Sequence, residues 1–199
     1  MHRVRVKIEG LRHAATAARV AEMGADAVGL VFAESPRRVT AEQAREIVSA
    51  LPPRVTTVGV FVNAPADEIN RVVERTGIAV VQLHGDEPPQ LAADVRALCI
   101  KAFRVKDEDW AQEVGKWLGA VPRESVRGRS EGAREGQPAF HAARGNPFVP
   151  SDLTILLDAY DPTVRGGSGK RFNWDWIARA RQRGRMEDFG PILLAGGLD

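Results

Sequence analysis

Asp158 ends an apolar run of the sequence and is a strong candidate for acid–base chemistry. Residues 154–157 before it are apolar enough for a strand that is buried on both faces of a parallel sheet. A glycine-rich loop that contains Gly166 and Gly167 follows, and such a loop is suited to close over a bound ligand. Parallel α/β folds carry their chemistry at the carboxyl ends of strands, so the sequence predicts an acid at a ligand site.

Several other apolar runs also end in polar or glycine residues. These ends carry Glu9, Arg37, Asn63, Gln82, His84, Lys101, Arg104, Gly196 and Gly197. Because the carboxyl ends of barrel strands meet at one mouth, we expect these groups to line one cavity. Carboxylates, cations and a phosphate-type glycine turn suit an anionic sugar phosphate that undergoes proton transfer.

Strand-like and helix-like segments alternate along the chain. The predicted strands cover residues 4–8, 27–32, 58–62, 79–83, 100–103, 154–158 and 191–195, and the predicted helices cover 13–23, 40–50, 65–76, 88–98, 107–117 and 174–183. This alternation predicts an α/β protein with a parallel sheet. The sheet is either open and doubly wound or closed into a (β/α)₈ barrel, the TIM barrel. The turn at residues 9–12 lacks the G-x-G-x-x-G pattern of the open sheet, so the barrel is favoured.

The 199 residues predict a single barrel domain with one interruption. Residues from about 119 to 152 are rich in Arg, Gly, Glu, Ser and Pro, and we expect them to form a disordered or solvated insertion. The chain stops after the seventh predicted strand, so the eighth β/α unit is expected to be missing. The first and seventh strands would then have open edges, which invite association. A fragment and a chain completed by a partner both fit this pattern.

Composition excludes several classes of function. A net charge of +2 without a dense basic block argues against nucleic-acid binding, and the lone Cys99 excludes an internal disulfide and a cysteine-based metal cluster. No apolar run approaches the roughly 20 residues of a membrane span, and the N-terminus lacks a signal sequence. We therefore expect a cytoplasmic protein that does not bind membranes.

Seven motifs in order resemble one known family. They are Val6-Lys7-Ile8, Ser35-Pro36-Arg37, Val58-Gly59-Val60-Phe61-Val62-Asn63, Val81-Gln82-Leu83-His84-Gly85-Asp86-Glu87, Leu157-Asp158-Ala159, Gly166-Gly167-Ser168-Gly169-Lys170 and Leu194-Ala195-Gly196-Gly197-Leu198. The sequence resembles the phosphoribosylanthranilate isomerases of tryptophan biosynthesis. The resemblance covers the chain from Val4 to its end, apart from the insertion.

The resemblance implies an Amadori rearrangement on a TIM barrel, without a cofactor or a metal. The substrate would be N-(5-phosphoribosyl)anthranilate and the product a 1-deoxyribulose 5-phosphate. Asp158 matches the general acid, and Arg37 matches the residue that contacts the anthranilate part. Gly196 and Gly197 match half of the phosphate site. We expect Gln82, His84, Gly166 and Gly167 to line the same substrate site.

Glu9 departs from the family, whose general base at this position is a cysteine. A carboxylate can act as a base, but it reaches further than a thiolate and adds negative charge to the site. Glu9 is therefore either a substituted base or a sign of a degenerate, non-catalytic relative that at most binds a phosphorylated ligand. Without the family, a salt bridge at the strand end would be the simpler interpretation. An epimerase-like barrel ranks last, because it would need metal ligands and His84 is the only histidine at a strand end.

Overall fold

The computed structural model describes residues 3–122, 153–159, 173–190 and 192–196. Within these ranges strands and helices alternate as predicted. They are β1 (Lys7–Glu9), α1 (Ala14–Glu22), β2 (Ala27–Val31), α2 (Ala41–Ala50), β3 (Thr56–Phe61), α3 (Ala66–Thr76), β4 (Val80–Leu83), α4 (Pro89–Asp94), β5 (Leu98–Val105), α5 (Trp110–Gly119), β6 (Leu153–Ala159), α6 (Trp174–Gln182) and β7 (Ile192–Ala195).

The sheet has seven strands in the order β1-β2-β3-β4-β5-β6-β7, and every neighbouring pair is parallel. A doubly wound sheet would reverse its strand order at a switch point, whereas a barrel adds each strand next to the preceding one. The strand order therefore confirms the TIM-barrel-type prediction and excludes the open-sheet alternative. β1 and β7 are the terminal strands of the sheet in the described part of the chain.

The two faces of the sheet bury different sets of side chains. The inner face carries a cluster formed by Ala27, Val58, Val80, Leu98, Ile100, Ala102 and Leu156. The intervening residues of the same strands face outward and pack against the helices, as Val28 and Leu30 do against Ala17 and Ile47. Because side chains alternate between faces along a strand, this division fixes which residues at the strand ends point into the barrel mouth.

Helix α2 begins where the sequence predicts. The Thr40 hydroxyl accepts a hydrogen bond from Gln43 N at 3.2 Å, and Gln43 Oε1 accepts one from Thr40 N at 2.9 Å. This reciprocal capping box satisfies backbone donors that would otherwise lack partners in the first turn. It also fixes the end of the loop after β2, which carries Arg37.

Several predicted boundaries are wrong, most clearly those of α4 and β5. Helix α4 ends at Asp94 rather than at residue 98, and β5 extends from Leu98 to Val105. The Asn70 side chain donates to Asp94 O at 3.0 Å and accepts from Arg96 N at 2.8 Å. This contact from α3 satisfies backbone groups at the end of α4 and leads the chain into β5.

Some predictions lie outside the described residues. Residues 123–152, most of the predicted insertion, are among them, as are Gly166, Gly167 and Gly197. Helix α5 ends at Gly119, where the insertion is predicted to begin. Across the described ranges, no helix combines the length and apolar character that crossing a membrane requires.

Candidate active site

Alternation along the strands places three predicted site residues on the inner face. Gln82 lies two residues after Val80, and Asp158 lies two residues after Leu156, both members of the inner cluster. Glu9 pairs laterally with Gly29, which lies two residues after the inner residue Ala27. All three side chains therefore project toward the barrel mouth from different strands.

A continuous chain of side-chain contacts links the two candidate catalytic carboxylates. Lys7 Nζ forms an ion pair with Glu9 Oε2 and lies 2.7 Å from Gln82 Oε1. Gln82 Nε2 lies 2.8 Å from His84 Nδ1, and His84 Nε2 lies 3.2 Å from Asp158 Oδ2. We call these five residues the inner polar chain. It brings together four residues that the sequence predicts for the site.

Lys7 is the member of this chain that the predicted site lacks. It occupies the same strand face as Glu9 because the two residues are two positions apart in β1. The signal that identifies it is therefore the alternation of β1, with a lysine and a glutamate on the side that faces the barrel interior. Its side chain is 11% exposed, so contacts with Glu9 and Gln82 replace much of the water that would otherwise hydrogen-bond the ammonium.

Glu9 is partly shielded and strongly influenced by cations. Burial is the largest single effect and acts to raise the pKa of Glu9, but the neighbouring cations, the Lys7 ammonium foremost and the Arg37 guanidinium after it, together outweigh burial and hold that pKa below its usual value. The carboxylate is therefore ionised at neutral pH, as a general base must be. Gly29 makes room for this side chain, since a Cβ there would lie 2.8 Å from Glu9 Cγ.

Asp158 is more deeply buried, with a side chain that is 5% exposed. Its Oδ2 faces His84, and its Oδ1 faces the backbone of Gly196. A Cβ at Gly196 would lie 2.6 Å from Oδ1, and Gly196 has a φ of +76°. Both the space and the backbone conformation therefore require glycine at this position.

Arg37 lies on the exposed loop after β2, at the rim of the mouth. Its aliphatic stem crosses the end of β1, where a Cβ at Gly10 would lie 2.6 Å from Arg37 Cδ. Arg37 is also one of the cations that lower the pKa of Glu9, which places its guanidinium on the same side of the barrel. A guanidinium here is available for a carboxylate on a ligand.

Lys101 does not line the mouth, so this prediction is wrong. It lies between the inner residues Ile100 and Ala102 and therefore points outward, where its Nζ forms a 2.7 Å ion pair with Glu87 Oε2. The two side chains are 4% and 1% exposed. Burial raises the pKa of Glu87, but Lys101 and the backbone N–H of Asn63 outweigh burial and hold that pKa below its usual value.

The buried pair supports the loops that follow β3 and β4. Lys101 Nζ donates to Gly85 O at 2.7 Å, and Glu87 Oε1 accepts from Asn63 N at 2.9 Å and from Gly85 N at 2.8 Å. Asn63 Oδ1 accepts from Asp86 N at 2.8 Å. Asn63 is therefore a loop-bracing residue, and neither Glu87 nor this role of Asn63 was predicted.

Arg104 is the cation that β5 directs toward the mouth. It lies two residues after Ala102, on the inner side, and it pairs in register with Asp158. Its Nη2 lies 3.1 Å from Asp86 Oδ1. In the described part of the chain, no group of three or more His, Cys, Asp or Glu residues is arranged to hold a metal ion.

Comparisons with known proteins point to one family. A family model described as N-(5'phosphoribosyl)anthranilate (PRA) isomerase matches residues 6–116. The N-(5'-phosphoribosyl)anthranilate isomerase of Geobacter metallireducens is 41% identical over 196 residues, which is 98% of this chain and 78% of the relative. The Pseudomonas putida KT2440 protein of the same name is 39% identical over 199 residues, 100% of this chain and 78% of the relative.

Solved structures give the same result. The phosphoribosyl anthranilate isomerase of Thermotoga maritima superimposes with a TM-score of 0.72 and 34% identity, covering 98% of this chain and 78% of that one. A structure described as phosphoribosyl anthranilate isomerase in complex with reduced 1-(o-carboxyphenylamino)-1-deoxyribulose 5-phosphate has a TM-score of 0.64 and 28% identity, and the match covers 99% of this chain and 89% of that one. On sequence and fold together, this chain belongs to the N-(5'-phosphoribosyl)anthranilate isomerase family.

Proposed function

We propose that this chain converts N-(5'-phosphoribosyl)anthranilate into the corresponding 1-deoxyribulose 5-phosphate by acid–base catalysis in tryptophan biosynthesis. The observation that carries the proposal is the inner polar chain, in which Glu9 and Asp158 face one barrel mouth on opposite ends of a connected set of side chains. The reaction needs one group that gives a proton and one that takes a proton. Family membership supplies the substrate class.

Asp158 is the proposed general acid of the first step. Its proton passes to the furanose ring oxygen while the bond between that oxygen and C1 breaks and its electron pair goes to the oxygen. The lone pair of the anthranilate nitrogen forms the C=N bond of the Schiff base. The low exposure of Asp158, at 5%, keeps water from competing for this proton.

Glu9 is the proposed general base of the second step. It takes the proton from C2, and the electrons of the C–H bond form the carbon–carbon double bond of an enol amine while the C=N electrons return to nitrogen. The enol amine then tautomerises to the ketone, so the reaction is redox-neutral overall. The lowered pKa of Glu9, for which the Lys7 ammonium is responsible against the opposing effect of burial, supports an ionised base.

The remaining predicted residues would bind substrate. Arg37 would pair with the anthranilate carboxylate, and Gln82 and His84 would contact the substrate beside Asp158; the position of Arg37 at the rim and the contacts of His84 with Gln82 and Asp158 support these roles. Gly196, together with Gly197, is proposed to donate backbone N–H groups to the phosphate. Gly166 and Gly167 are proposed to belong to a loop over the substrate, although neither lies in the described ranges.

The wider organisation is also a proposal. We infer a single barrel domain interrupted by the insertion, no nucleic-acid or membrane partner, no cofactor, and a cytoplasmic location suited to a sugar phosphate. Association through the barrel edges is supported by Ile8, which is 37% exposed on the terminal strand β1 of the described sheet.

A non-catalytic relative is the second candidate. The observation that favours it is the Lys7–Glu9 ion pair, because a carboxylate oxygen that is held by an ammonium is less free to abstract a proton from carbon. Such a protein would bind the phosphorylated ligand without converting it.

Turnover of phosphoribosylanthranilate by the purified 199-residue chain distinguishes the two candidates. The loss of anthranilate-type fluorescence follows the reaction, with the Asp158→Asn variant as the matched control. Turnover that the variant lacks supports the isomerase. A folded chain that binds the reduced product analogue in calorimetry but shows no turnover supports the non-catalytic relative.

A further inference from the structure

The chemistry of the side chains fixes which groups donate and which accept hydrogen bonds along the inner polar chain. An ammonium group only donates hydrogen bonds, so the atom of Gln82 that faces Lys7 Nζ at 2.7 Å must be the carbonyl oxygen Oε1. The amide nitrogen Nε2 then has to face His84. A reversed amide would set two donors against each other next to Lys7, inside a site where Gln82 is fully buried.

The direction of the Gln82 amide determines the state of the His84 ring. Gln82 Nε2 donates to His84 Nδ1 at 2.8 Å, so Nδ1 must accept and carries no proton. A neutral ring then has its proton on Nε2, which donates to Asp158 Oδ2 at 3.2 Å. A doubly protonated ring would place an N–H against the amide N–H of Gln82, so the neutral ring fits this site.

The same logic extends to Asp158. Because His84 Nε2–H points at Oδ2, a proton on Oδ2 would face a second donor. The proton of the acid form therefore belongs on Oδ1, the oxygen that faces Gly196, where the lack of a Cβ leaves space beside it. When that proton has left for the substrate, the His84 N–H remains as a donor to the carboxylate that forms.

We propose that Lys7 is a positioning residue of this site: through Gln82 it holds His84 as the neutral Nε2–H tautomer and so makes Oδ1 of Asp158 the oxygen that donates the proton. The part of this proposal that concerns proton donation rests on the proposed function. The proton leaves Oδ1 for the furanose ring oxygen, as the C1–O bond breaks and the nitrogen lone pair forms the C=N bond. The tautomer itself is a property of the protein without substrate.

The test is the protonation state of the His84 ring, read by long-range ¹H–¹⁵N NMR on the ¹⁵N-labelled full chain near neutral pH. The sequence contains four histidines, and the signals missing from His84→Gln identify the ring. We expect Nε2 protonated and Nδ1 unprotonated in the unsubstituted protein. A dominant Nδ1–H tautomer or a doubly protonated ring overturns the proposal, and no variant is needed for that outcome.

Two variants test the role of Lys7. Lys7→Met removes the donor that orients Gln82, so the amide can turn and the His84 ring should populate both tautomers. Gln82→Leu cuts the chain at the next position and leaves the Lys7–Glu9 pair in place. Lys106→Met, at an exposed position beyond β5, is the matched control and should leave the tautomer unchanged. An unchanged tautomer in both Lys7→Met and Gln82→Leu overturns the role of Lys7.

Kinetics separate this proposal from the proposed function. If the chain is an isomerase, Gln82→Leu should lower kcat by about 10-fold to 100-fold with a smaller change in KM, because proton donation is impaired more than binding. A rise in KM that exceeds the fall in kcat, or a fall in kcat without any change of tautomer, contradicts positioning through His84. The absence of turnover in the unsubstituted chain contradicts the proposed function, while the NMR result on the tautomer still stands or fails by itself.

Discussion

The Lys7 ammonium is paired with the Glu9 carboxylate on the inner face of β1. This pair keeps Glu9 ionised against the effect of burial, and it also holds one carboxylate oxygen, Oε2. Ionisation favours a general base, whereas the ion pair restrains it. Whether the other oxygen, Oε1, reaches the substrate C2 proton therefore decides whether this site turns over.

Glu9→Gln should abolish isomerisation if Glu9 is the base. The variant preserves the shape of the side chain but removes the proton acceptor, and loss of a positioned general base lowers rates by about 10²-fold to 10⁴-fold. The measurement is kcat for phosphoribosylanthranilate by fluorescence. Glu22→Gln, at an exposed position of α1, is the control and should keep full activity.

Unchanged turnover in Glu9→Gln rules out Glu9 as the base. Glu9→Cys then provides a second comparison, because a cysteine is what the family resemblance implies at this position. Retained turnover in Glu9→Cys together with loss in Glu9→Gln indicates that the position needs a proton acceptor rather than a carboxylate.

Lys7→Met should move the ionisation of Glu9 to higher pH. Burial raises the pKa of Glu9 and Lys7 is the main group that lowers it, so removing Lys7 leaves the effect of burial less opposed. The acid limb of kcat/KM should therefore shift upward. The limb is measured from about pH 4 to pH 8, with Lys106→Met as the control.

An NMR titration that follows the carboxyl carbon of Glu9 measures the ionisation of Glu9 directly and does not depend on turnover. The folded-state pKa of Glu9 is lowered, so the pair contributes to stability above the unfolded-state pKa, and this contribution is lost as the pH falls through the folded-state pKa, below about 4.5. A titration of Glu9 that does not move upward in Lys7→Met contradicts this account.

Lys101→Met should destabilise the fold strongly at neutral pH. It leaves the Glu87 carboxylate without its counter-charge at a position where the side chain is 1% exposed, and removal of one partner of a buried pair costs about 3–5 kcal/mol. The free energy of unfolding in urea measures the loss.

Two further variants make this stability test specific. Glu87→Gln combined with Lys101→Met removes both charges and should restore much of the loss. Arg96→Met breaks an exposed pair with Glu74, and its cost should remain below about 1 kcal/mol. Equal effects of Arg96→Met and Lys101→Met contradict the importance of burial.

Gly29→Ala should disturb Glu9 and little else at the site. The new Cβ would lie 2.8 Å from Glu9 Cγ and 3.3 Å from Glu9 Cα, so the side chain and β1 must shift. We expect a loss of about 1–3 kcal/mol in unfolding free energy and a lower kcat. Gly119→Ala, where nothing lies within 4 Å of the new Cβ, is the control and should be neutral.

Arg37→Met should raise KM more than it lowers kcat. Arg37 is exposed at the rim and would bind the anthranilate carboxylate, and a hydrogen-bonded charge pair of this kind is worth about 1.5–3 kcal/mol, or about 10-fold to 100-fold in KM. Steady-state kinetics give both constants. The control is Arg38→Met, which changes the neighbouring exposed arginine. A similar rise in KM in Arg38→Met contradicts a specific contact by Arg37.

The strand pattern made the fold predictable, and alternation explains where prediction of the site succeeded. Gln82 and Asp158 lie an even number of residues from apolar inner-face positions, so the period of two places them in the mouth. Lys101 fails the same test because it lies one residue from the inner positions Ile100 and Ala102, an odd separation that directs it outward. Arg104 lies two residues after Ala102 and is the inward-facing cation of β5.

The contacts between distant parts of the chain were not predictable. Asn70 shapes the end of α4 from a neighbouring helix, and Glu87 pairs with Lys101 across a turn and a helix. Each contact depends on three-dimensional proximity that a local pattern does not contain. Glu87 stands between Asp86 and Pro88, and this local sequence gives no signal that it will be buried beside a lysine.

The loops that follow β3 and β4 share their hydrogen bonds through Asn63, Gly85, Asp86 and Glu87. Barrel enzymes commonly acquire new specificity by changes in separate loops at this face. In this protein the two loops form one structural unit, since replacing either one would leave hydrogen-bonding groups of the other without partners. Loop grafting for protein engineering would have to transfer both segments together with Lys101.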